Sequence, residues 1–289
     1  MESNPKVCII MPVYNGASTI KLAIASLIAQ SYDNWICVIV NDGSSDGTKE
    51  ILDSLTDCRF KVYHLPKNKG RGYARQYALE HTEGDYLAYL DADDFYHKDK
   101  LKLQVNILQS NDNIMLVGTG VLTFSDDYQP LNTRGCYNIV TTKPFKDGKK
   151  LPVVMPSVMI RLDYAKAFQY NSRLNAGEDI DYFSRYLNGK LYSNIDKVLL
   201  YYYLGPTNYK KVLSYTYNEI LRGAFLMKRN SCAGINLIIH SMFKYFIYLI
   251  FIPILGMSFF LRRRGHAADI NEIQEFDIQY KICNNETRI

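Results

Sequence analysis

The sequence predicts an α/β fold, a Rossmann-like, mainly parallel sheet flanked by helices, with a helical extension after it. Three observations carry this prediction. Short apolar runs bounded by turn residues indicate buried strands, and segments with apolar residues at helical spacing lie between them. Polar clusters rich in Asp, Asn and Gly follow the apolar runs. Because strands that alternate with helices form βαβ units with right-handed crossovers, the strands are expected to run mostly parallel.

The first 110 residues contain four such strand–helix repeats. The strands are expected at residues 6–12, 35–40, 60–65 and 85–90. The helices are expected at residues 18–30, after the turn cluster 41–48, at 72–81 and at 98–110. After Ile114–Phe124 the alternation weakens, so that 125–150 is expected to be a loop or hairpin and 153–160 to be strand-like around Pro156.

Charge and cysteine content exclude several classes of protein. The chain of 289 residues has 34 Lys and Arg against 29 Asp and Glu, a net charge of +5, and its one compact basic run is 262–264. A nucleic-acid partner is therefore not expected. The six cysteines show no metal-ligand spacing, and Cys8 and Cys37 fall within strand-like runs, which predicts reduced core residues. The N-terminus has no signal-peptide pattern, so the catalytic part is expected inside the cell.

The stretch 86–94 is the strongest candidate for a functional site. Its apolar run reaches Leu90 and is followed at once by Asp91, Asp93 and Asp94. At a strand end the backbone turns, so that carboxylates can converge there and raise each other's pKa unless a cation lies between them. A hard divalent cation that also holds substrate phosphates would fit this arrangement. The alternative is that Asp93 or Asp94 caps the next helix, but capping needs only one Asp.

Other candidate ligand contacts lie at the same predicted edge. Tyr14 could stack on a base or be a half-buried structural tyrosine, and Asp42 could bind a base or ribose or be an ordinary turn residue. Arg71 and Arg75 lie near a helix start where an anion would be favoured. The alternative for both is a solvated surface side chain, which spacing alone favours for Arg75. The chain has neither a G-x-x-x-x-G-K-[ST] loop nor a complete dinucleotide fingerprint.

A second acidic group opens the helix that follows residue 177. Glu178 and Asp179 could include a general base that faces the metal centre, or could be first-turn acids favoured by the helix dipole. Asp181 and Arg185 have the i,i+4 spacing of a surface ion pair, which contributes little to stability. The local sequence leaves both alternatives open.

Taken together, these motifs resemble family 2 glycosyltransferases with the GT-A fold, of the non-processive bacterial kind that builds surface polysaccharides. The resemblance covers roughly residues 5–205. The matching segments are residues 9–15, 40–48, 70–75, 91–94, 155–159 and 177–179, with Arg185. The chain has Met155 where relatives often carry His, and it lacks the Q-x-x-R-W motif of processive synthases.

The resemblance implies a role for each site residue. Donor binding is implied for Pro12, Tyr14, Asn15, Asp42, Arg71, Asp91 and Arg185, with Asp42 on the uracil or ribose, Asp91 on the ribose or metal shell, and Arg185 on a loop or the diphosphate. Asp93 would be the direct ligand of Mg²⁺ or Mn²⁺. Asp179 would be the catalytic base, with Glu178 beside it.

The implied activity is inverting, metal-dependent transfer of a sugar from a nucleotide sugar, a UDP-sugar in the first instance, to a hydroxyl of a lipid-linked glycan. Two alternatives remain from the sequence. A sugar nucleotidyltransferase would need a basic, glycine-rich loop directly after the first strand, and residues 12–15 contain no basic residue. A non-catalytic, membrane-anchored carbohydrate-binding scaffold would be expected to have lost Asp42, Asp93 or Asp179, and all three are present.

Residues 206–289 are predicted to form a helical extension to the 1–205 domain. Residues 245–261 are 17 uncharged, mostly apolar residues, the lower limit for a spanning helix. Pro253 and Gly256 interrupt them, and basic residues flank both ends. This predicts an embedded or interfacial segment over about 233–261, on the cytoplasmic side of the membrane, rather than a single span. A buried helix of a soluble domain is the alternative, and the tail 267–289 is expected to be a short surface helix.

Overall fold

The computed structural model describes residues 4–136, 139–140, 143–174, 176–205, 209–255 and 265–286. The strands are β1 Val7–Val13, β2 Trp35–Asn41, β3 Phe60–His64, β4 Tyr86–Tyr89, β5 Phe95–Tyr96, β6 Ile114–Phe124, β7 Pro130–Arg134, β8 Ile139–Val140, β9 Met159–Arg161, β10 Leu191–Tyr203 and β11 His266–Ala267. The helices are α1 Ile20–Ile28, α2 Thr48–Asp53, α3 Arg71–Glu80, α4 Lys100–Ser110, α5 Leu162–Ala165, α6 Glu178–Leu187, α7 Tyr209–Met227, α8 Ser231–Leu255 and α9 Ile270–Glu286.

The predicted α/β fold class is confirmed by the sheet. Its strand order is β11-β7-β6-β9-β4-β1-β2-β3, and β3, β2, β1 and β4 all run parallel. The pairs Val13–Asn41 and Ile10–Tyr89 set the register on either side of β1. The segments that follow β1, β2 and β4 therefore meet at one edge of the sheet, the edge at which open α/β sheets bind ligands.

The second half of the sheet is mixed. β9 runs antiparallel to both β4 and β6, and β7 forms an antiparallel hairpin with β6 within the predicted loop-or-hairpin region. β10 pairs parallel to β6 and antiparallel to β5. The strand expected around Pro156 is in fact a 3-10 turn at Met155–Ser157, followed by β9. Proline cannot donate to a sheet ladder, which explains why the strand begins only after it.

Both faces of the parallel strands are buried, which accounts for their continuous apolar sequence. Ile9 and Met11 pack into one core cluster with α1 and α4. Cys8 and Ile10 point to the other face and pack into a second cluster with α3 and α6. Cys8 and Cys37 are buried free thiols, as predicted.

The prediction of a short surface helix in the tail is wrong. α9 is a 17-residue helix, and its Phe276 is fully buried in a third core cluster with Phe95, Phe124 and Tyr201. The prediction used the three-residue spacing of Ile270, Ile273 and Phe276, of which Ile270 and Ile273 are exposed and Phe276 is buried. Periodicity within the tail cannot show which face meets a distant part of the chain. The domain boundary near residue 205 stays a prediction, but α9 packs against residues of the first 205.

α8 is the one helix, in the described part of the chain, with the length and composition to cross a membrane. The segment Ser231–Pro253 contains an 18-residue stretch with a mean hydropathy of 1.7, of which only 11% is buried. Many of its large apolar side chains are exposed, which argues against a buried core helix. Residues 256–264, including the end of the predicted apolar segment and the three arginines, lie outside the described residues.

Candidate active site

A cleft of about 710 Å³ opens where β1, β2 and β4 end. Residues 12–16, Asp42, Arg71 and the segment Asp91–Asp93 line it. Residues of β6, β7 and the end of β10 also line it, and α7 contributes Lys211 and Tyr215. The structure thus brings together seven of the predicted site residues: Pro12, Tyr14, Asn15, Asp42, Arg71, Asp91 and Asp93.

Residues 14–17 are held in place by the turn cluster that follows β2. Asn15 has a left-handed backbone with φ of 52°. Its N–H donates to Ser44 Oγ and its Oδ1 accepts from the Ser45 N–H, each at 2.9 Å. The Gly16 N–H donates to Thr48 Oγ1, also at 2.9 Å. Because the Asn15 side chain is hydrogen-bonded to the turn cluster, the exposed ring of Tyr14 is the group in this segment most open to a ligand.

Asp42 connects the cleft to the start of α3. Its side chain is 3% exposed. Oδ1 accepts from the Lys69 N–H at 2.8 Å and Oδ2 from the Gly70 N–H at 2.9 Å. Gly70 has φ of 90°, a conformation that favours glycine. Asp42 therefore fixes the loop that carries Arg71, and its contact with a donor stays a prediction.

Arg75 bridges the two acidic groups of the sequence. Its Nη2 donates to Asp91 Oδ1 and its Nη1 to Glu178 Oε1, both at 2.8 Å. It is 5% exposed, so the prediction of a solvated surface arginine is wrong. The reason is that α6 packs over α3, a contact between residues 103 positions apart that spacing along α3 cannot reveal.

The three aspartates of the 91–94 motif have different electrostatic environments. Burial opposes ionisation of Asp91, but the charges of Arg75 and Arg71 hold its pKa below the ordinary value. The Asp93 carboxyl is open to the cleft but surrounded by protein, and this desolvation, together with Asp91, raises its pKa to about 6. Burial, with Asp93 and Asp91, raises the pKa of Asp94 well above its ordinary value.

Asp94 has a structural contact of its own. Its Oδ1 accepts from the Tyr203 N–H at 2.8 Å, which ties the end of β10 to the acidic motif. The alternative that Asp93 or Asp94 caps the next helix is wrong, because α4 begins at Lys100 with Asp99 at its N-cap position.

The residues at the cleft fit a divalent cation whose remaining ligands would come from the substrate. Within the described ranges, no group of three or more His, Cys, Asp or Glu side chains is arranged to hold a metal ion. Asp93 nevertheless presents an open carboxylate with a raised pKa, close to Asp91. Mg²⁺ is commonly bound through one or two carboxylates, with water and substrate phosphates as its other ligands. Two hard oxygen donors beside an open cleft match that pattern.

Glu178 is held by two arginines at the start of α6. It is 1% exposed, and its Oε1 lies 2.8 Å from Arg75 Nη1 and 2.9 Å from Arg71 Nε. This burial favours a positioning role for Glu178 over proton transfer.

Asp179, the next residue, is half-buried. Burial lowers the pKa of Arg75, but Asp91, Asp179 and Glu178 outweigh burial and raise it, so Asp179 lies within electrostatic range of the bridge. Its role as base stays a prediction.

Arg185 lies outside the cleft. Its Nε contacts Asp181 Oδ2 at 3.0 Å and its Nη2 donates to the Gln169 carbonyl at 2.6 Å. This geometry supports the prediction that Arg185 holds a loop, and it does not support a contact between Arg185 and the diphosphate.

Asp181 is also bound by Arg229 Nη2 at 3.1 Å and is almost fully buried. The expected surface pair is therefore part of a buried network, because the α7–α8 turn covers it.

Sequence reasoning missed several residues of the site. Thr123, Asn132, Arg134, Lys211 and Tyr215 line the cleft, but all come from segments without a recognisable motif. The basic pair 210–211, at the start of the helix that follows β10, is the one local signal that could have indicated a positive charge near a phosphate site.

The family model described as Glycosyl transferase family 2 matches residues 8–166, more than half of the chain. The chain belongs to glycosyltransferase family 2. The Bacillus subtilis protein EpsE, which is named for glycosyltransferase activity, is 31% identical over 193 residues, or 64% of this chain and 68% of EpsE. An uncharacterized glycosyltransferase of Haemophilus influenzae is 40% identical over 116 residues, which cover 39% of this chain and 46% of that protein. The chain thus matches about half the length of the latter relative.

The glycosyltransferase fold extends to solved structures. Staphylococcus aureus TarS 1–349 in complex with UDP superposes with a TM-score of 0.64 at 17% identity, over 97% of this chain and 80% of that chain. TarS 1–349 in complex with UDP-GlcNAc gives a TM-score of 0.64 at 16% identity, over 98% and 81% of the two chains. At this identity the likeness shows the fold, and it confirms the predicted GT-A-like α/β architecture.

Proposed function

We propose that this glycosyltransferase is an inverting, metal-dependent enzyme that transfers a sugar from a UDP-sugar to a hydroxyl of a lipid-linked glycan in polysaccharide synthesis. The single observation that carries this proposal is the bridge made by Arg75. It connects the strand end that bears Asp91 and Asp93 to the helix start that bears Asp179. One arginine thus holds together the proposed donor-diphosphate site and the proposed base.

The donor assignment is supported by the character of the cleft. Tyr14 offers an exposed ring for a base, and Arg71 and Lys211 line the same cleft and offer positive charge near Asp93. Bound UDP and UDP-GlcNAc in the TarS structures make a uridine donor the first to test. When bound at Asp93 and Asp91, Mg²⁺ or Mn²⁺ would supply Lewis-acid stabilisation of the leaving diphosphate.

The protein's own groups perform the remaining tasks. Arg71, fixed by Glu178 and by the Asp42 loop, orients the diphosphate of the donor. Asp179 accepts the proton of the acceptor hydroxyl as that oxygen attacks the anomeric carbon, a contribution of about 10²–10⁴ in rate. A single displacement with one base leaves the new bond with inverted anomeric configuration.

The acceptor and the cellular location are part of the same proposal. One relative, Bacillus subtilis TuaG, is 37% identical over 130 residues and is named for teichuronic acid biosynthesis. The exposed apolar helix α8 is compatible with membrane association. We therefore place the enzyme on the cytoplasmic face of the membrane, where a glycan on a lipid carrier would present its hydroxyl.

The test is a donor screen with the purified full chain. Radiolabelled UDP- and GDP-sugars are incubated with membrane extract and Mn²⁺, and the product is analysed by mass and by the NMR coupling of its anomeric proton. Transfer from one UDP-sugar with inversion is the expected result. Release of pyrophosphate from a nucleoside triphosphate and a sugar phosphate would instead identify a nucleotidyltransferase. Metal-independent sugar binding without turnover would identify a scaffold.

A further inference from the structure

α8 presents a continuous apolar ridge, defined here as Ile235, Ile239, Phe243, Phe246 and Ile250. These residues follow one another at intervals of four, four, three and four, which puts them on one face of a helix. All five are exposed, and Phe243 retains 66% of its accessible surface. Exposed apolar surface of this extent marks an interaction site rather than ordinary protein surface.

The opposite face of α8 packs against α7 from about residue 234 to residue 249. A Cβ atom on Gly223 would lie 2.6 Å from Ile238 Cγ1, and one on Gly234 would lie 2.5 Å from the Met227 N atom, so the two backbones approach closely at these glycines. Near the other end of the pair, the Tyr209 hydroxyl donates to the Leu249 carbonyl at 3.1 Å. The two helices therefore form one antiparallel hairpin.

α7 is in turn fixed to the catalytic part of the protein. Lys211 and Tyr215 line the donor cleft. Beyond the end of α7, Arg229 contacts Asp147 at 2.8 Å and Asp181 at 3.1 Å. α7 also carries Lys210, Glu219 and Arg222 among its 19 residues.

This arrangement restricts how α8 can meet a membrane. If α8 crossed the bilayer, the charged helix packed along it would have to enter the hydrocarbon as well, or the hairpin would have to separate at its glycines. Charged side chains are strongly disfavoured at membrane depth. An orientation parallel to the membrane plane has neither cost, because only the apolar ridge enters the lipid.

We propose that α8 lies flat on an anionic bilayer, with the ridge inserted at the boundary between headgroups and acyl chains and α7 on the aqueous side. A segment of 23 residues that contains an 18-residue stretch with a mean hydropathy of 1.7 suits lipid. Its basic flanks suit anionic headgroups: Lys228 precedes it, and the sequence continues to the three arginines at 262–264. The inference deepens the proposed function by naming the docking face and its orientation, and it rests on that function only for the presence of an acceptor at the membrane.

Because α7 both lines the cleft and carries α8, docking would hold the cleft at a fixed height above the lipid. An acceptor hydroxyl on a carrier lipid would then lie within reach of the donor without the protein having to extract the carrier from the bilayer.

Vesicle flotation of the full chain, without detergent, tests the docking face. The ridge variant combines Ile239→Ser, Phe243→Ser and Phe246→Ser, and the control variant combines Ile270→Ser and Ile278→Ser on α9, which are similarly exposed. Wild type and control are expected to float with phosphatidylcholine vesicles that contain phosphatidylglycerol. The ridge variant is expected to bind at least about tenfold more weakly, because three apolar side chains no longer leave water. Equal flotation of all three proteins would overturn the proposal.

UDP titration of the same variants keeps the result interpretable. Unchanged UDP affinity in the ridge variant shows that the cleft is intact, so a loss of flotation is then a loss of docking. A failure of the proposed function would appear instead as absent transfer by wild type that floats normally. If the ridge variant changes the molecular mass of the protein in solution but not its flotation, the ridge contacts a second copy of the chain, and the proposal is overturned.

Depth measurement tests the orientation. Tryptophan is introduced singly as Ile239→Trp, Phe246→Trp or Ile250→Trp, while the native Trp35 is buried and gives a constant background. Quenching by lipids brominated at shallow or deep acyl positions then reports the depth of each site. The flat orientation predicts the same shallow depth at all three positions. A depth that changes steadily along the helix would mean that α8 crosses the bilayer.

Discussion

Glu178 and Arg75, 103 residues apart in the chain, form a buried ion pair with Nη1 and Oε1 separated by 2.8 Å. The same guanidinium contacts Asp91 through its other terminal nitrogen. The planar fork of arginine can serve two carboxylates in fixed directions, which lysine cannot do. This pair therefore sets the position of α6, and with it Asp179, relative to the acidic motif.

Arg75→Met should destabilise the protein by about 3–5 kcal/mol, because it removes the buried guanidinium that Asp91 and Glu178 share, although Arg71 still contacts Glu178. Urea unfolding measures this loss. Lys49→Met, which removes an exposed i,i+4 pair with Asp53, is the control and should have no measurable effect. Adding Glu178→Gln to Arg75→Met should restore part of the stability but not the activity. Wild-type stability of Arg75→Met would show that the bridge is not a structural element.

Asp179→Asn should lower the rate of sugar transfer by about 10²–10⁴, because the acceptor hydroxyl loses its proton acceptor. Metal-dependent UDP binding should be unchanged, since the proposed mechanism assigns Asp179 to the acceptor hydroxyl and not to the donor nucleotide. Asp163→Asn, an exposed acid at the start of α5, is the matched control. A transfer rate equal to that of wild type would remove Asp179 from the mechanism.

The raised pKa of Asp93 predicts a pH-dependent stability. Its pKa is about 6 in the folded protein against 3.8 for an unperturbed Asp. The unfolded state therefore loses its proton first, and the contribution of this group to folding stability falls as the pH rises from about 4 to about 6. In EDTA at pH 7, Asp93→Asn should melt at a higher temperature than wild type, and the difference should vanish at pH 3. A lower melting temperature of the variant at pH 7 would contradict the raised pKa.

Asp94→Asn should retain both activity and UDP binding. The pKa of Asp94 is raised well above its ordinary value, so a neutral amide of the same shape replaces a carboxyl that favours its neutral form. The amide oxygen can still accept from the Tyr203 N–H. Asp94→Leu should lose this contact and with it the position of the segment after β10. If Asp94→Asn is as inactive as a variant of Asp93, the division of roles within the motif is wrong.

The sequence predicted the features that local pattern determines. β2 begins at Trp35 and β3 at Phe60, as expected, because buried parallel strands have continuous apolar sequence between turn residues. The clustering of Tyr14, Asp42 and Asp93 followed from a general property, namely that the carboxyl ends of parallel strands share one edge. The family resemblance added roles for these residues, and those roles remain proposals.

Features that depend on distant contacts could not be predicted in the same way. Arg75 is buried because α6 covers it, and Asp181 because the α7–α8 turn covers it. α9 packs through a contact between His97 and Glu275, 178 residues apart, and its periodicity alone suggested a surface helix. In each case the position of a second element decides the burial, and periodicity within the first element carries no information about it.

The central claim is that Asp93 holds a divalent cation together with the donor diphosphate. Isothermal titration of UDP into wild type, Asp93→Ala and Asp94→Asn, each with Mn²⁺ and with EDTA, tests it most directly. Mn²⁺ is expected to strengthen UDP binding by wild type and by Asp94→Asn, and this enhancement is expected to be lost in a folded Asp93→Ala. UDP binding by Asp93→Ala with the affinity and metal dependence of wild type would contradict it.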